Sequence, residues 1–228
     1  MTAKFIGFDA VEQFFCGKTV AIVGSAPSVL DNTPGYIETH DIVVRVNNYK
    51  TGMAQGYRCD VHASFYGTSI RKTRHDLERD GVKLCLCKCP DAKALESEWH
   101  ERTSRQVGID FRYIYKNRKR EDFWFCNTFV PSVKHFVDKF EMLGRHIPTT
   151  GFSTVLDVLA CHPARVFLTG FDFFTSGLHN VDEKWRPGNP DDPICHRPDL
   201  ELAWLKANAA NHPMLFDKKL QQMMAENV

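Results

Sequence analysis

The stretch TVAIVGSAPS, residues 19–28, decides the fold: the near-continuous apolar run Thr19–Val23 stops at Gly24 and passes into Ser25-Ala26-Pro27-Ser28. A short β-branched run closed by glycine reads as a strand buried on both faces, the habit of strands in parallel sheets covered by helices. Comparable runs follow at Ile42–Val46, Asp60–Phe65, Val82–Cys87, Arg112–Tyr115 and Arg165–Thr169, alternating with helix-like stretches. The expected fold class is therefore α/β: a mostly parallel, twisted sheet with helices on both faces, in a single Rossmann-like domain over residues 1–228. Phe152, Val155, Leu156 and Leu159 recur at helical spacing between Gly151 and Pro163, predicting a helix over Phe152–His162. The tail Asp199–Asn227 reads as helical, interrupted near Pro213. Residues 175–198 turn polar and rich in proline and glycine, too long for an ordinary connection, and are expected to form a lid.

The chain has 228 residues, 43% hydrophobic and 25% charged, which excludes a disordered or collagenous chain. Its 29 basic and 28 acidic residues leave a net charge of +1, so no broad positive field invites nucleic acid. No apolar run approaches the ~20 residues that cross a bilayer, and the opening MTAKFIGFDAVEQFF carries acids where a secretory signal is apolar, so a cytoplasmic protein is expected. The basic run Lys116–Arg120 offers a peripheral contact to a membrane or an anionic acceptor, although a solvated loop is the commoner fate of such a run. Cys85, Cys87 and Cys89 alternate as CLCKC without a second ligand pair, so free thiols are expected rather than zinc.

Several phosphate-handling motifs fail. GSAPSV lacks the later glycines of a dinucleotide-binding loop, Gly17-Lys18-Thr19 precedes its strand instead of following it, and TGFSTV puts Val155 where a nucleophile elbow needs glycine. There is no Asp-x-Asp pair to hold a metal on a nucleoside diphosphate, so no metal and no cofactor are expected. What remains is local. The turn at Gly24–Ser28 presents backbone N–H groups to an anion. Arg45 and Asn47 share a strand face near the carboxyl edge, where open α/β sheets bind ligands. Thr149, Thr150, Gly151 and Ser153 stand at a helix start, where they cap the helix or cradle a phosphate.

Together these segments resemble the sialyltransferases, which move sialic acid from its CMP ester onto a sugar hydroxyl. VAIVGSAPSVL through VVRVN resembles the family's large donor-binding motif, with Arg-x-Asn about twenty residues after the glycine turn. PTTGFSTVLDVLA with VFLTGFDFF resembles the small motif, HNVD at 179–182 the third, and His196 with Glu201 the terminal His-x4-Glu motif. The resemblance covers about Thr19 to Leu205 and implies a GT-A-like variant of the fold, a CMP-sugar donor as substrate and a glycan or glycolipid acceptor. It implies that Gly24, Ser25, Ala26, Pro27 and Ser28 wrap the nucleotide, with Asn47 near its phosphate or ribose. Thr149, Thr150, Gly151 and Ser153 then hold the donor, and Gly170, Phe171 and Asp172 flank the cytidine. His179 stabilises the departing phosphate, and His196 takes the acceptor proton.

The large motif opens at Val20 directly after Thr19 rather than after a cysteine, so the disulfide that joins the large and small motifs in eukaryotic members is not expected, and the chain looks bacterial in type. Ser25 and Gly67 stand where relatives show asparagine, and Phe174 where one shows tyrosine, so CMP-Kdo is the alternative donor. The chemistry points the same way: imidazole, with an ordinary pKa of about 6.5, suits removal of a hydroxyl proton. A departing monophosphate can be met by neutral donors and a helix dipole without metal, giving an inverting, metal-independent transfer. Two other classes make different predictions. A methyltransferase using S-adenosylmethionine needs an acid for the ribose where this chain has Arg45 and Asn47, and a non-catalytic nucleotide-binding module gives His196 no work to do.

Overall fold

The computed structural model describes residues 5–66, 70–90, 125–180, 183–184 and 196–226. In chain order the elements are β1 (Phe5–Ile6), α1 (Phe8–Phe15), β2 (Thr19–Val23), β3 (Ile42–Val46), β4 (Val61–Ser64), α2 (Arg74–Arg79), β5 (Leu84–Cys87), β6 (Asn127–Phe129), α3 (Val133–Met142) and α4 (Thr150–Leu159). They continue with β7 (Arg165–Thr169), β8 (Leu178–Asn180), β9 (Glu183–Lys184), α5 (Pro198–Asn208), β10 (Met214–Phe216) and α6 (Lys218–Ala225). Eight strands form one sheet in the order β1-β6-β5-β4-β3-β2-β7-β10, and every neighbouring pair is parallel. This is the expected α/β class.

Side-chain alternation explains why helices lie on both faces. Val20 and Ile22 of β2, Val44 of β3 and Leu84 and Leu86 of β5 pack with Val11 and Phe15 of α1, Val155 and Val158 of α4, Leu205 of α5 and Leu220 of α6. The intervening residues Ala21, Val23 and Val43 meet Val29 and Ile37, which lie in two short 3-10 turns over Pro27–Asp31 and Ile37–Thr39. Cys85 and Cys87 pack on that side with Tyr49, Tyr66 and Leu77 of α2.

From β2 the chain steps outward through β3, β4, β5 and β6, then returns to place β7 on the other side of β2. The reversal opens a crevice at the carboxyl ends of β2 and β7, the usual ligand position in open α/β sheets.

Several sequence expectations shift. The strands at Thr19–Val23, Ile42–Val46 and Arg165–Thr169 stand as read, whereas β4 and β5 are shorter than read and α4 begins at Thr150 rather than Phe152. The tail is not purely helical. Val166 N–H donates to Pro213 O at 2.8 Å, and Met214–Phe216 becomes the edge strand β10 between α5 and α6. Arg112–Tyr115, the basic run Lys116–Arg120, Gly67 and most of the lid lie outside the described residues; within 175–198, β8 and β9 pair antiparallel. Among the described residues no helix is long and apolar enough to cross a membrane.

Candidate functional site

Two backbones meet at the crevice. A methyl group on Gly24 would stand 2.2 Å from Gly170 O, and one on Gly151 would stand 2.8 Å from the Phe171 ring. These glycines therefore serve the contact between the end of β2, the end of β7 and the first turn of α4. The N–H groups of Gly24 and Ala26 are engaged there as well, donating to Thr169 O at 2.8 Å and to Gly170 O at 3.0 Å. The Gly24–Ser28 turn is thus less open to an anion than its sequence suggests. Ser28 is buried and its hydroxyl donates to Asp217 Oδ2 at 3.3 Å. Half-buried Ser25 instead lines a small pocket with Val23, Gly24, Val29, Asn48, Lys50 and Gln55.

Asp217, which no motif singles out, holds this junction. Its Oδ2 also accepts from Thr169 Oγ1 and Gly170 N, both at 2.9 Å, and its Oδ1 caps α6 by accepting from Leu220 N at 2.8 Å. Asp172 is buried in a turn of its own, where its carboxylate accepts from Phe174 N and Ser176 N at 3.0 and 3.2 Å.

At the end of β3, Asn47 adopts a left-handed backbone with φ 50°. Its Oδ1 accepts from Ser64 Oγ at 3.2 Å, which turns the amide N–H2 away from β4. Arg45 does not share the site: it is fully buried and donates to Arg58 O at 2.8 Å and Gln55 O at 2.7 Å, bracing the loop after β3. Burial lowers its pKa from the ordinary value.

The start of α4 is the best-defined part. Thr149 is its N-cap, with Oγ1 accepting from Phe152 N at 3.1 Å. The same residue donates twice to Glu201 of α5, from N to Oε1 at 2.5 Å and from Oγ1 to Oε2 at 2.9 Å. Ser153 N–H returns to Thr149 O at 2.9 Å. Among the described residues, the N–H groups of Thr150 and Gly151 and the hydroxyl of buried Thr150 find no acceptor, so a helix N-terminus with three donors and a positive dipole end faces the crevice. Ser153 is not one of these donors: it is buried and takes Lys139 Nζ on its hydroxyl at 3.0 Å and on its carbonyl at 3.3 Å.

His196 lies two residues before α5 and anchors to the same loop, Nδ1 to Ile147 O at 2.8 Å. A carbonyl only accepts, so Nδ1 carries the proton and the neutral ring keeps its lone pair on Nε2, the tautomer a base requires. His196 and Glu201 thus grip Ile147 and Thr149 just ahead of α4. Burial pushes the Glu201 carboxyl up to about 7, against the opposing pull of the Thr149 hydrogen bonds and the Lys88 charge. The two ends of the His-x4-Glu motif thus hold the same loop at different points, His196 at Ile147 and Glu201 at Thr149. His179 lies on β8.

No family model matches the sequence, and no curated protein matches it. Solved structures do match. A mammalian sialyltransferase in complex with Gal-beta-1-3GalNAc-ortho-nitrophenol aligns at TM-score 0.53 and 17% identity, over 90% of this chain and 71% of the other. The sialyltransferase CstII from Campylobacter jejuni, in complex with the substrate analogue CMP-3FNeuAc, aligns at TM-score 0.53 and 15% identity, over 92% of this chain and 89% of that one. The same enzyme in complex with cytidine-5'-monophosphate aligns at TM-score 0.51 and 14% identity, over 89% of this chain and 80% of that one. The likeness is one of fold and spans most of both chains.

Proposed function

We propose that this chain is a glycosyltransferase that moves an acidic sugar, sialic acid, from its CMP ester to a hydroxyl of a glycan or glycolipid. The observation that carries the reading is the convergence of His196, held in the Nδ1–H form by Ile147 O, with the open donors of Thr150 and Gly151 at the sheet's switch point. The fold shared with solved sialyltransferases supports it.

In this reading CMP lies along the crevice between Ser25, Asn47 and the Gly170–Phe171 edge. The acceptor oxygen attacks the anomeric carbon from the face opposite the phosphate, so configuration inverts. As the new C–O bond forms and the bond to phosphate breaks, Nε2 of His196 takes the acceptor proton, while the departing phosphate gains a charge met by the α4 dipole and by His179. A monophosphate leaving group needs no divalent ion for this, and the protein works in the cytoplasm or at a membrane surface.

The test is His196→Ala. The variant is expected to bind CMP like the wild type and to lose at least ~100-fold in transfer rate, the usual worth of a general base. Equal rates would refute the role of His196. Running CMP-sialic acid beside CMP-Kdo identifies the donor, with sialic acid expected to turn over faster.

A further inference from the structure

Lys88 sits in the middle of the CLCKC segment, one residue past β5, with its backbone N–H donating to Ser64 O at 2.9 Å. Strand alternation puts its side chain on the face of Leu84 and Leu86, the face that packs on Val155 and Val158 of α4. The residue is only 9% exposed, yet among the described residues its ammonium has no hydrogen-bond or ion-pair acceptor within reach. Glu201 acts on it through space, but both oxygens of Glu201 are engaged by Thr149. Lys139, a second cation nearby, already has Asp157 and Ser153 as acceptors. Burial lowers the Lys88 pKa from its ordinary value. An ammonium largely withdrawn from water without a close partner is costly to keep, and groups perturbed in this way cluster at functional sites.

We propose that Lys88 is the specificity residue for donor class: its ammonium, on the α4 side of the sheet with the open N–H groups of Thr150 and Gly151, takes the carboxylate that an acidic sugar carries on its reacting carbon. The inference rests on the CMP-sugar reading above and adds the residue that separates acidic from neutral sugars. A neutral sugar would leave the ammonium buried and bare, which makes Lys88 a barrier to the wrong donor as well as a contact to the right one.

Calorimetric titration of wild type, Lys88→Met and Lys88→Gln with CMP and with CMP-3FNeuAc, whose fluorine beside the anomeric carbon slows departure, separates the contributions. Both variants are expected to keep wild-type affinity for CMP and to bind the sugar nucleotide about 10- to 100-fold more weakly, the range of one hydrogen bond to a charged group. Lys88→Gln keeps the experiment readable if Lys88→Met does not fold. Unchanged affinity for CMP-3FNeuAc, or an equal loss for both ligands, overturns the assignment of Lys88 and leaves the CMP-sugar reading standing. Wild type that binds neither ligand overturns the CMP-sugar reading itself.

Discussion

Glu201 carries a test of the site at the scale of one residue. Its carboxyl is held at about 7 by burial, against an ordinary value of 4.5. The charges acting on it come from Lys88 at the end of β5 and from Asp199 in its own helix, and its hydrogen bonds come from Thr149. Because the folded pKa lies above the unfolded one, the folded state binds the extra proton, and stability falls as pH rises from 4.5 to about 7. The full loss amounts to about 3 kcal/mol. Glu201→Gln keeps an oxygen for Thr149 and cannot titrate, so urea titrations between pH 5 and pH 8 are expected to show a flatter profile than wild type. Parallel profiles would show that Glu201 does not titrate in this window.

Between elements, the position of α4 depends on a buried cluster that His135 and Lys139 of α3 form with Ser153 and Asp157 of α4. Lys139 of α3 donates to Asp157 Oδ1 at 2.5 Å, and His135 Nε2 meets the same oxygen at 2.6 Å. Burial works to raise the Asp157 carboxyl, but the Lys139 charge and the His135 hydrogen bond prevail and hold it below its ordinary value. Lys139→Met alone strands a buried carboxylate and is expected to cost about 3–5 kcal/mol in urea unfolding. Lys139→Met with Asp157→Leu should recover most of that, and a double variant no better than the single would contradict the pairing. None of this was legible in the sequence, because a lysine and an aspartate on different helices leave no local pattern. The same holds for Lys88 and Asp217, whose roles depend on contacts across the fold. What could be read was what leaves a periodic or terminal mark: β2, β3 and β7 as unbroken apolar runs, and the start of α4 from Thr-Gly before an apolar stripe. Strands of two or three residues such as β1, β6 and β10 are too short to show a period of two, and Pro213 looked like a helix break because nothing local reveals that its carbonyl joins β7. Glycines mislead in their own way: Gly24 reads as part of an anion-binding turn and Gly151 as part of a helix start, while the space beside both is taken by Gly170 and Phe171.

Across the whole molecule, the near-neutral charge of +1 means that no long-range field gathers anionic ligands, so affinity for a nucleotide must come from the crevice where the strand order reverses. That crevice joins β2, β7, β10 and α6 through Gly170 and Asp217, and α4 and α5 through Thr149 and Glu201. A ligand seated there touches elements that otherwise separate on unfolding, so its binding should stabilise the entire sheet rather than one loop. At a concentration of 100 times its dissociation constant, a single-site ligand adds about 2.7 kcal/mol. For a chain of this size each kcal/mol moves the midpoint by about 2–4 °C, so CMP is expected to raise the melting temperature by about 5–10 °C in one cooperative transition. UDP, NAD and S-adenosylmethionine supplied at the same concentration should leave it unmoved, since no dinucleotide loop, metal-binding acid pair or ribose-binding acid accompanies this turn. A shift with UDP equal to that with CMP would mean that the crevice reads phosphate without reading cytosine, and a shift with S-adenosylmethionine alone would move the protein into another enzyme class.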